Sequence, residues 1–306
     1  MRGAAILNTF LFGVALLFGS ISGLAQEAPR ASSGTLEKIR ANDTIYVGYR
    51  EAAIPFSYVD AGGQAIGYSW DLCGYLTEAI KSRLARPNLT VVPVPVTVSS
   101  RQMMLEAGTI DLECGSTSNT EQRQRYVAFS VTTFVAGVKV VVRKDAGIRA
   151  LADMKGKVVV SAAGTGSENY VKSAAARQGL ALAYRQGRDH ADALRQLLRG
   201  EADVLVLDDV VLQGLLMNVP EAERARLVAI DENFGFEPYA IMFRRNDPAF
   251  KQLVDETLVG LMRRGELERI YAKWFASPIP PKGSNLQLPM SELLKRLLLT
   301  PNDKGV

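Results

Sequence analysis

Two segments of this chain, 92 residues apart, follow one pattern, and that pattern limits the fold more than any other feature. Arg101-Gln-Met-Met-Leu-Glu-Ala-Gly-Thr-Ile-Asp-Leu and Ala193-Leu-Arg-Gln-Leu-Leu-Arg-Gly-Glu-Ala-Asp-Val each read as helix, glycine, two residues, aspartate, strand. Gly108 and Asp111 fall on Gly200 and Asp203. Apolar residues at helical spacing, a glycine stop and an apolar run make an α/β unit. The offset also sets Ser116 opposite Asp208, each just past the carboxyl end of a strand. Val98 falls opposite His190, each just before a helix. In open α/β sheets that edge is where ligands bind.

The rest of the chain alternates in the same way. Residues 44–49 read as a strand, 70–84 as a helix and 89–96 as a β-branched strand broken by prolines. Ser99 or Ser100 caps a short helix through Glu106, and 109–113 is a strand. A long run at 135–142 carries the chain into a second α/β unit that begins with strand 158–161 and continues to Leu207. Residues 234–243 read as a strand returning, followed by helices at 248–262, 266–275 and 290–299. Two lobes joined by outgoing and returning segments predict a cleft with a hinge.

The ends and the charge narrow the class. Arg2, the apolar run 4–18 and the small residues leading to Ala25 predict a secretory leader at residues 1–25. No later run of apolar residues is long enough to span a membrane. The net charge is +4, and the charges alternate in sign rather than forming a basic block, which argues against nucleic acid as a partner. A single histidine argues against a zinc site, and no metal or cofactor is expected. Cys73 and Cys114 follow the leader, so export places them in an oxidising compartment. They form either a disulfide closing a loop of about 42 residues or two buried free thiols.

Candidate site residues cluster at strand ends. The segment Gly115-Ser-Thr-Ser-Asn-Thr-Glu-Gln-Arg123 is dense in hydroxyls, follows a strand and precedes a helix, a setting that binds anions. Its Ser116, Ser118 and Arg123 are candidates, since an arginine fork grips a carboxylate bidentately. Arg50 follows strand 44–49, Arg101 follows the connection at 93–99, and three arginines near strand ends suggest a ligand with more than one negative group. Gly164-Thr-Gly-Ser167 opens a second helix and makes Thr165 a candidate, but it lacks the Gly-Lys-Ser/Thr of a phosphate loop and the third glycine of a dinucleotide loop. Asp208, at the end of an apolar strand, can receive an ammonium group. His190 is unique. Nothing fixes a nucleophile against a base, so no catalytic residue is assigned.

Read together, these residues resemble the periplasmic glutamate/aspartate-binding proteins of ABC amino-acid importers. The resemblance runs from about Ile39 to Asp303. It is carried by Gly48-Tyr-Arg50 with Ile54-Pro-Phe-Ser-Tyr58, Gly67-Tyr-Ser-Trp-Asp71, and Asp111-Leu-Glu-Cys-Gly-Ser-Thr-Ser-Asn119. Arg123 with Ala128-Phe-Ser130, Asp189-His190, Leu207-Asp-Asp209, and Trp274-Phe with Pro278-Ile-Pro-Pro281 continue it. It implies a type II periplasmic-binding-protein-like α/β fold, with two lobes joined by a two-strand hinge and the ligand cleft between them. Lobe 1 would comprise residues 36–136 and the returning 233–306, and lobe 2 residues 137–232.

By the same resemblance, Arg123 would hold the ligand α-carboxylate with help from Ser116 and Ser118. Asp208 would receive the α-ammonium. Arg50, Arg101 and His190 would surround the side-chain carboxylate, and Thr165 or its neighbours would close the site. Cys73 and Cys114 would be bonded. The protein would act in the periplasm as a monomer, delivering glutamate or aspartate to a membrane permease. One position departs from the family: Val98 stands where acidic-ligand members usually carry a serine. Two alternatives remain open: a binding module for a neutral polar amino acid, and a secreted cyclohexadienyl dehydratase on the same scaffold, with His190 or Glu113 as its acid.

Overall fold

A computed structural model describes residues 34–306 together with Met1, so the expected leader lies outside the described residues. Runs rich in valine, isoleucine and leucine form the strands of two mixed sheets. In the first lobe these are β1 (Thr44–Tyr49), then a small three-stranded sheet of β2 (Ala52–Ala53), β3 (Ser57–Val59) and β4 (Ala65–Ile66). They are followed by β5 (Thr90–Pro95), β6 (Leu112–Glu113) and β7 (Val127–Phe129). The chain then leaves along β8 (Phe134–Arg143) into β9 (Val158–Ala162), β10 (Ala183–Gly187), β11 (Val204–Asp208) and β12 (Leu227–Ala229). It returns through β13 (Phe236–Tyr239) and β14 (Met242–Arg244).

The two sheets repeat one topology. The first runs β5-β1-β6-β14-β7 and the second β10-β9-β11-β8-β12, with β13 also paired to β8. In each, three parallel strands run in the order second, first, third, and an antiparallel crossing strand is added beside the third. The 92-residue repeat explains this. Gly108 and Gly200 both take left-handed φ, 70° and 76°, which lets the helix end and the chain turn back to the sheet. Asp111 then accepts the Tyr46 N–H of β1 at 2.9 Å, and Asp203 accepts the Val158 N–H of β9 at 2.9 Å. Each aspartate therefore ties the third strand of its lobe to the first.

The returning segment, expected as one strand over 234–243, is two. β13 pairs antiparallel with the start of β8, Tyr239 opposite Phe134, whereas β14 pairs with β6 and β7. Between them the Ala240 N–H donates to the Thr117 carbonyl, and the Ser130 N–H donates to the Ile241 carbonyl. The backbone thus changes sheets at this point, and one continuous strand is impossible. Phe56, Phe134, Tyr239 and Phe275 pack around this crossing, with Phe56 centroids 4.9 Å from Phe134 and 5.1 Å from Tyr239.

Two smaller expectations also change. β6 is shorter than 109–113, because the Thr109 and Ile110 N–H groups bond back to the Met104 carbonyl and close the preceding helix. Ser100 sits at the N-cap of helix Arg101–Glu106, but its hydroxyl accepts the Thr97 N–H instead of capping the helix.

Cys73, in helix Tyr68–Leu84, is disulfide-bonded to Cys114, the first residue after β6. The bond spans 41 residues of sequence, so the chain-entropy estimate gives about 4 kcal/mol from restricting the unfolded chain. Replacing both cysteines with alanine is expected to lower the free energy of unfolding by up to about that amount in a urea titration. An unchanged midpoint and slope would contradict it.

Candidate functional site

The segment after β6 is fixed from three sides before it reaches the cleft. The disulfide anchors Cys114, and Ser69 Oγ donates to the Gly115 carbonyl at 2.8 Å. The Asn119 N–H donates to the Pro238 carbonyl at 2.7 Å, and Ser118 forms an antiparallel bridge with Tyr239. The loop is therefore part of the hinge ladder.

Three arginines meet at this loop. Arg50 follows β1 directly and is buried, its N–H donating to Ser57 Oγ at 2.8 Å. Arg101 opens helix Arg101–Glu106; its Nη1 donates to Thr117 Oγ1 at 2.5 Å and to the Ser116 carbonyl at 3.2 Å. Thr117 Oγ1 donates in turn to Glu113, a buried carboxylate whose Oε1 lies 3.7 Å from Arg101 Nη1. Gly115 makes room for this packing: a Cβ there would stand 2.4 Å from Glu113 Oε1 and 2.9 Å from Arg50 Cγ. Arg123 is half-buried; its Nη1 donates to the Ser118 carbonyl at 2.7 Å, and its Nη2 reaches across to the Gly164 carbonyl of the second lobe at 2.9 Å.

The second lobe supplies the opposite wall. His190 is the first residue of helix His190–Leu198 and is buried beside Arg50 and Arg101. Asp208 ends β11; Ser167 Oγ donates to its Oδ1 at 2.9 Å, and the Tyr239 hydroxyl donates to its Oδ2. Glu237, on β13, accepts from Ser118 Oγ. Thr165 is the outlier among the candidates, because its hydroxyl donates to the Ala162 carbonyl at 2.8 Å and closes its own turn. Its neighbour Gly164 makes the contact across the lobes. A cleft of about 650 Å³ continues outward between Arg123, Gly164–Gly166, Tyr170 and Glu237.

The electrostatics follow from burial. Arg50 is lowered to about 10 by desolvation and by the nearby Arg101 charge, and Arg123 likewise to about 10. Both stay cationic at neutral pH. Desolvation first, then Arg50 and Arg101, push His190 down to about 3, so its imidazole is neutral. Desolvation and Glu237 raise Asp208 to about 8, and burial raises Glu237. Arg50 Nη1 is buried without a hydrogen-bond partner. Such a group costs free energy unless something accepts its protons. A carboxylate-bearing ligand would supply that acceptor.

Sequence reasoning missed Glu237 and Tyr239 as site residues. The available signal was a glutamate inside an apolar returning strand, where a carboxylate is expensive unless it is used. Val98 is buried and lies against Gly164, and it shares a smaller cavity with Arg101 and Arg123. The hydroxyls of Ser99 and Ser100 are both engaged with Thr97 within the turn, although Ser99 also borders that cavity.

Two mixed α/β lobes on a pair of crossing strands, with cationic groups from one lobe facing carboxylates from the other, define a two-lobed solute-binding protein. The chain belongs to family 3 of the bacterial extracellular solute-binding proteins, whose profile matches residues 45–277. It is therefore a binding protein of the extracytoplasmic space and not an enzyme. It is 38% identical over 293 residues to the glutamate/aspartate import solute-binding protein of Salmonella typhimurium, covering 95% of this chain and 96% of that one. It is 41% identical over 274 residues to the L-glutamate/L-aspartate-binding protein of Pseudomonas aeruginosa, covering 89% and 90%. Among solved structures, a mutant of ArgBP from T. maritima superposes with a TM-score of 0.65 at 27% identity, covering 79% of this chain and 99% of that one. An ancestral amino-acid-binding protein, a precursor of cyclohexadienyl dehydratase, gives 0.65 at 27%, covering 78% and 99%.

The neutral His190 has a consequence for stability. Its folded pKa lies below the unfolded value of 6.5, so the unfolded chain takes up a proton first as the pH falls. The folded state loses up to about 1.4 kcal/mol per pH unit from this group between pH 6.5 and about 3. Urea unfolding at pH 7, 6 and 5 is expected to show a shallower loss for His190→Gln than for the parent protein. Parallel losses would place the proton elsewhere.

Proposed function

We propose that this protein captures L-glutamate or L-aspartate in the periplasm and delivers it to the membrane permease of an ABC importer. The observation that carries the reading is the convergence of Arg50, Arg101 and Arg123 on the loop of residues 115–118, with Arg50 Nη1 buried and unpartnered and Asp208 on the facing lobe. A zwitterion with a second carboxylate matches that charge pattern; a neutral amino acid leaves part of it unanswered. The names of the relatives from Salmonella typhimurium and Pseudomonas aeruginosa point the same way.

In this reading Arg123 grips the α-carboxylate, positioned by the Ser118 carbonyl, with the backbone of Ser116 and Gly164 nearby. Asp208 receives the α-ammonium. Arg50, Arg101 and the neutral His190 enclose the side-chain carboxylate. Thr165 shapes the turn that presents Gly164. Because the ligand's partners belong to both lobes, its binding favours their closure. Secretion with cleavage after Ala25 and a monomeric state complete the proposal; the leader-like pattern of residues 1–25 supports the first of these.

The roles are separable by calorimetry. Arg123→Ala is expected to weaken every amino-acid ligand by about 30- to 5,000-fold, the range for truncating a hydrogen-bonded charge in a closed site. Arg50→Ala and Arg101→Ala are expected to lower the glutamate-to-glutamine affinity ratio, since glutamine has no second charge to lose. Val98→Ser restores a hydroxyl beside Arg101 and is expected to tighten glutamate by about 0.5–1.5 kcal/mol. An unchanged ratio in both arginine variants would reject the acidic ligand in favour of a neutral polar one.

A further inference from the structure

The reading above leaves Glu237 without a task. It is 1% exposed, lies on a strand that crosses between the lobes, and has one oxygen satisfied by Ser118 and the other, Oε1, without a hydrogen-bond partner. Oε1 lies so near the second lobe that a Cβ on Gly166 would be 3.4 Å away. Glu237 also borders the cleft that Arg123 and Gly164–Gly166 line. A buried, unpartnered carboxylate oxygen at a binding cleft is an acceptor in need of a donor.

Its surroundings identify the donor. Residues 237 and 239 point to the same side of β13, and the Tyr239 hydroxyl donates to Asp208. Ser167 stands beside both carboxylates, its hydroxyl donating to Asp208 Oδ1. The charged and titratable groups around the two are Arg123 and Arg101 from the first lobe, Asp209 next to Asp208, Tyr239, and Tyr170 from helix Ser167–Arg177. Two carboxylates in one buried site do not both ionise readily.

We propose that Glu237 is a second carboxylate of the ammonium subsite, holding one proton jointly with Asp208 in the free protein and shedding it when a ligand ammonium arrives between them. This inference rests on the amino-acid reading of the cleft. The proton leaves a carboxyl O–H for solvent, and the ammonium N–H groups donate to the two carboxylates in its place. The raised values of both acids in the free protein, Asp208 to about 8, agree with a retained proton at neutral pH. The sign follows from linkage: ligand favours the ionised pair, so affinity falls as the pH is lowered from about 8.

Calorimetric titration of the exported protein with L-glutamate at neutral pH, in phosphate and in Tris, reads the proton directly, because the two buffers differ in heat of ionisation. The expected result is release of close to one proton per ligand and a dissociation constant that rises up to about tenfold for each pH unit lowered. Glu237→Gln is expected to release fewer protons than the parent, since the like charge that helps raise Asp208 is gone while its burial stays, and Glu237→Asp to restore the release. Equal heats in both buffers for the parent protein overturn the inference whether or not the variants fold. So does a Glu237→Gln protein that releases as many protons as the parent. Binding of glutamine alone would reject the acidic ligand while leaving the proton count readable with glutamine; binding of no α-amino acid overturns both.

Discussion

Placing like-charged guanidinium groups together away from water is the constraint on which the rest of this structure depends. Each such charge costs several kcal/mol unless its hydrogens are accepted. The acceptors here are mostly backbone carbonyls: Ser116 for Arg101, Ser118 and Gly164 for Arg123. Carbonyls hold their places only if the backbone does. The disulfide at Cys114, the Ser69 bond to Gly115 and the ladder to residues 238–240 all hold that backbone. Glu113 adds a counter-charge below the pocket, reached through Thr117. Support and site are one network, so the cationic surface is formed before any ligand enters.

The crossing strands belong to that network too. Tyr239 packs its ring against Phe56 and Phe134, while its hydroxyl bonds to Asp208. One residue therefore belongs both to the apolar joint between the lobes and to the polar wall of the cleft. Ser118 does the same through the backbone, pairing with Tyr239 and offering its carbonyl to Arg123. Movement at the joint and geometry at the pocket are coupled through short covalent distances rather than through a long path.

Much of this was readable in the sequence where local rules act. The helix–glycine–aspartate repeat gave both lobes their topology, because a left-handed glycine and a strand-tying aspartate are local requirements that leave a local trace. The positions of Arg50 and Asp208 were legible as charges at strand ends, and those of Arg101 and Arg123 as charges in the short helices that follow a strand. What escaped depends on contacts distant in sequence. Glu237 meets Ser118 across 119 positions, and no spacing rule links them. The split of the returning strand depends on Thr117 and Ser130 capturing residues 240 and 241. The hydroxyl of Thr165 looked available until its own turn claimed it.

The strand order has a consequence for how the chain is assembled in time. β14, Met242–Arg244, lies inside the first sheet between β6 and β7, although it follows the whole second lobe in sequence. A chain emerging from its amino end can therefore complete the contiguous sheet of the second lobe first, while the earlier lobe waits with a gap between two of its strands. Closing that gap requires pairing across more than a hundred residues, the kind of non-local step that slows folding. The lobe made first is finished last, and the loop that cradles Arg101 and Arg123 is finished with it.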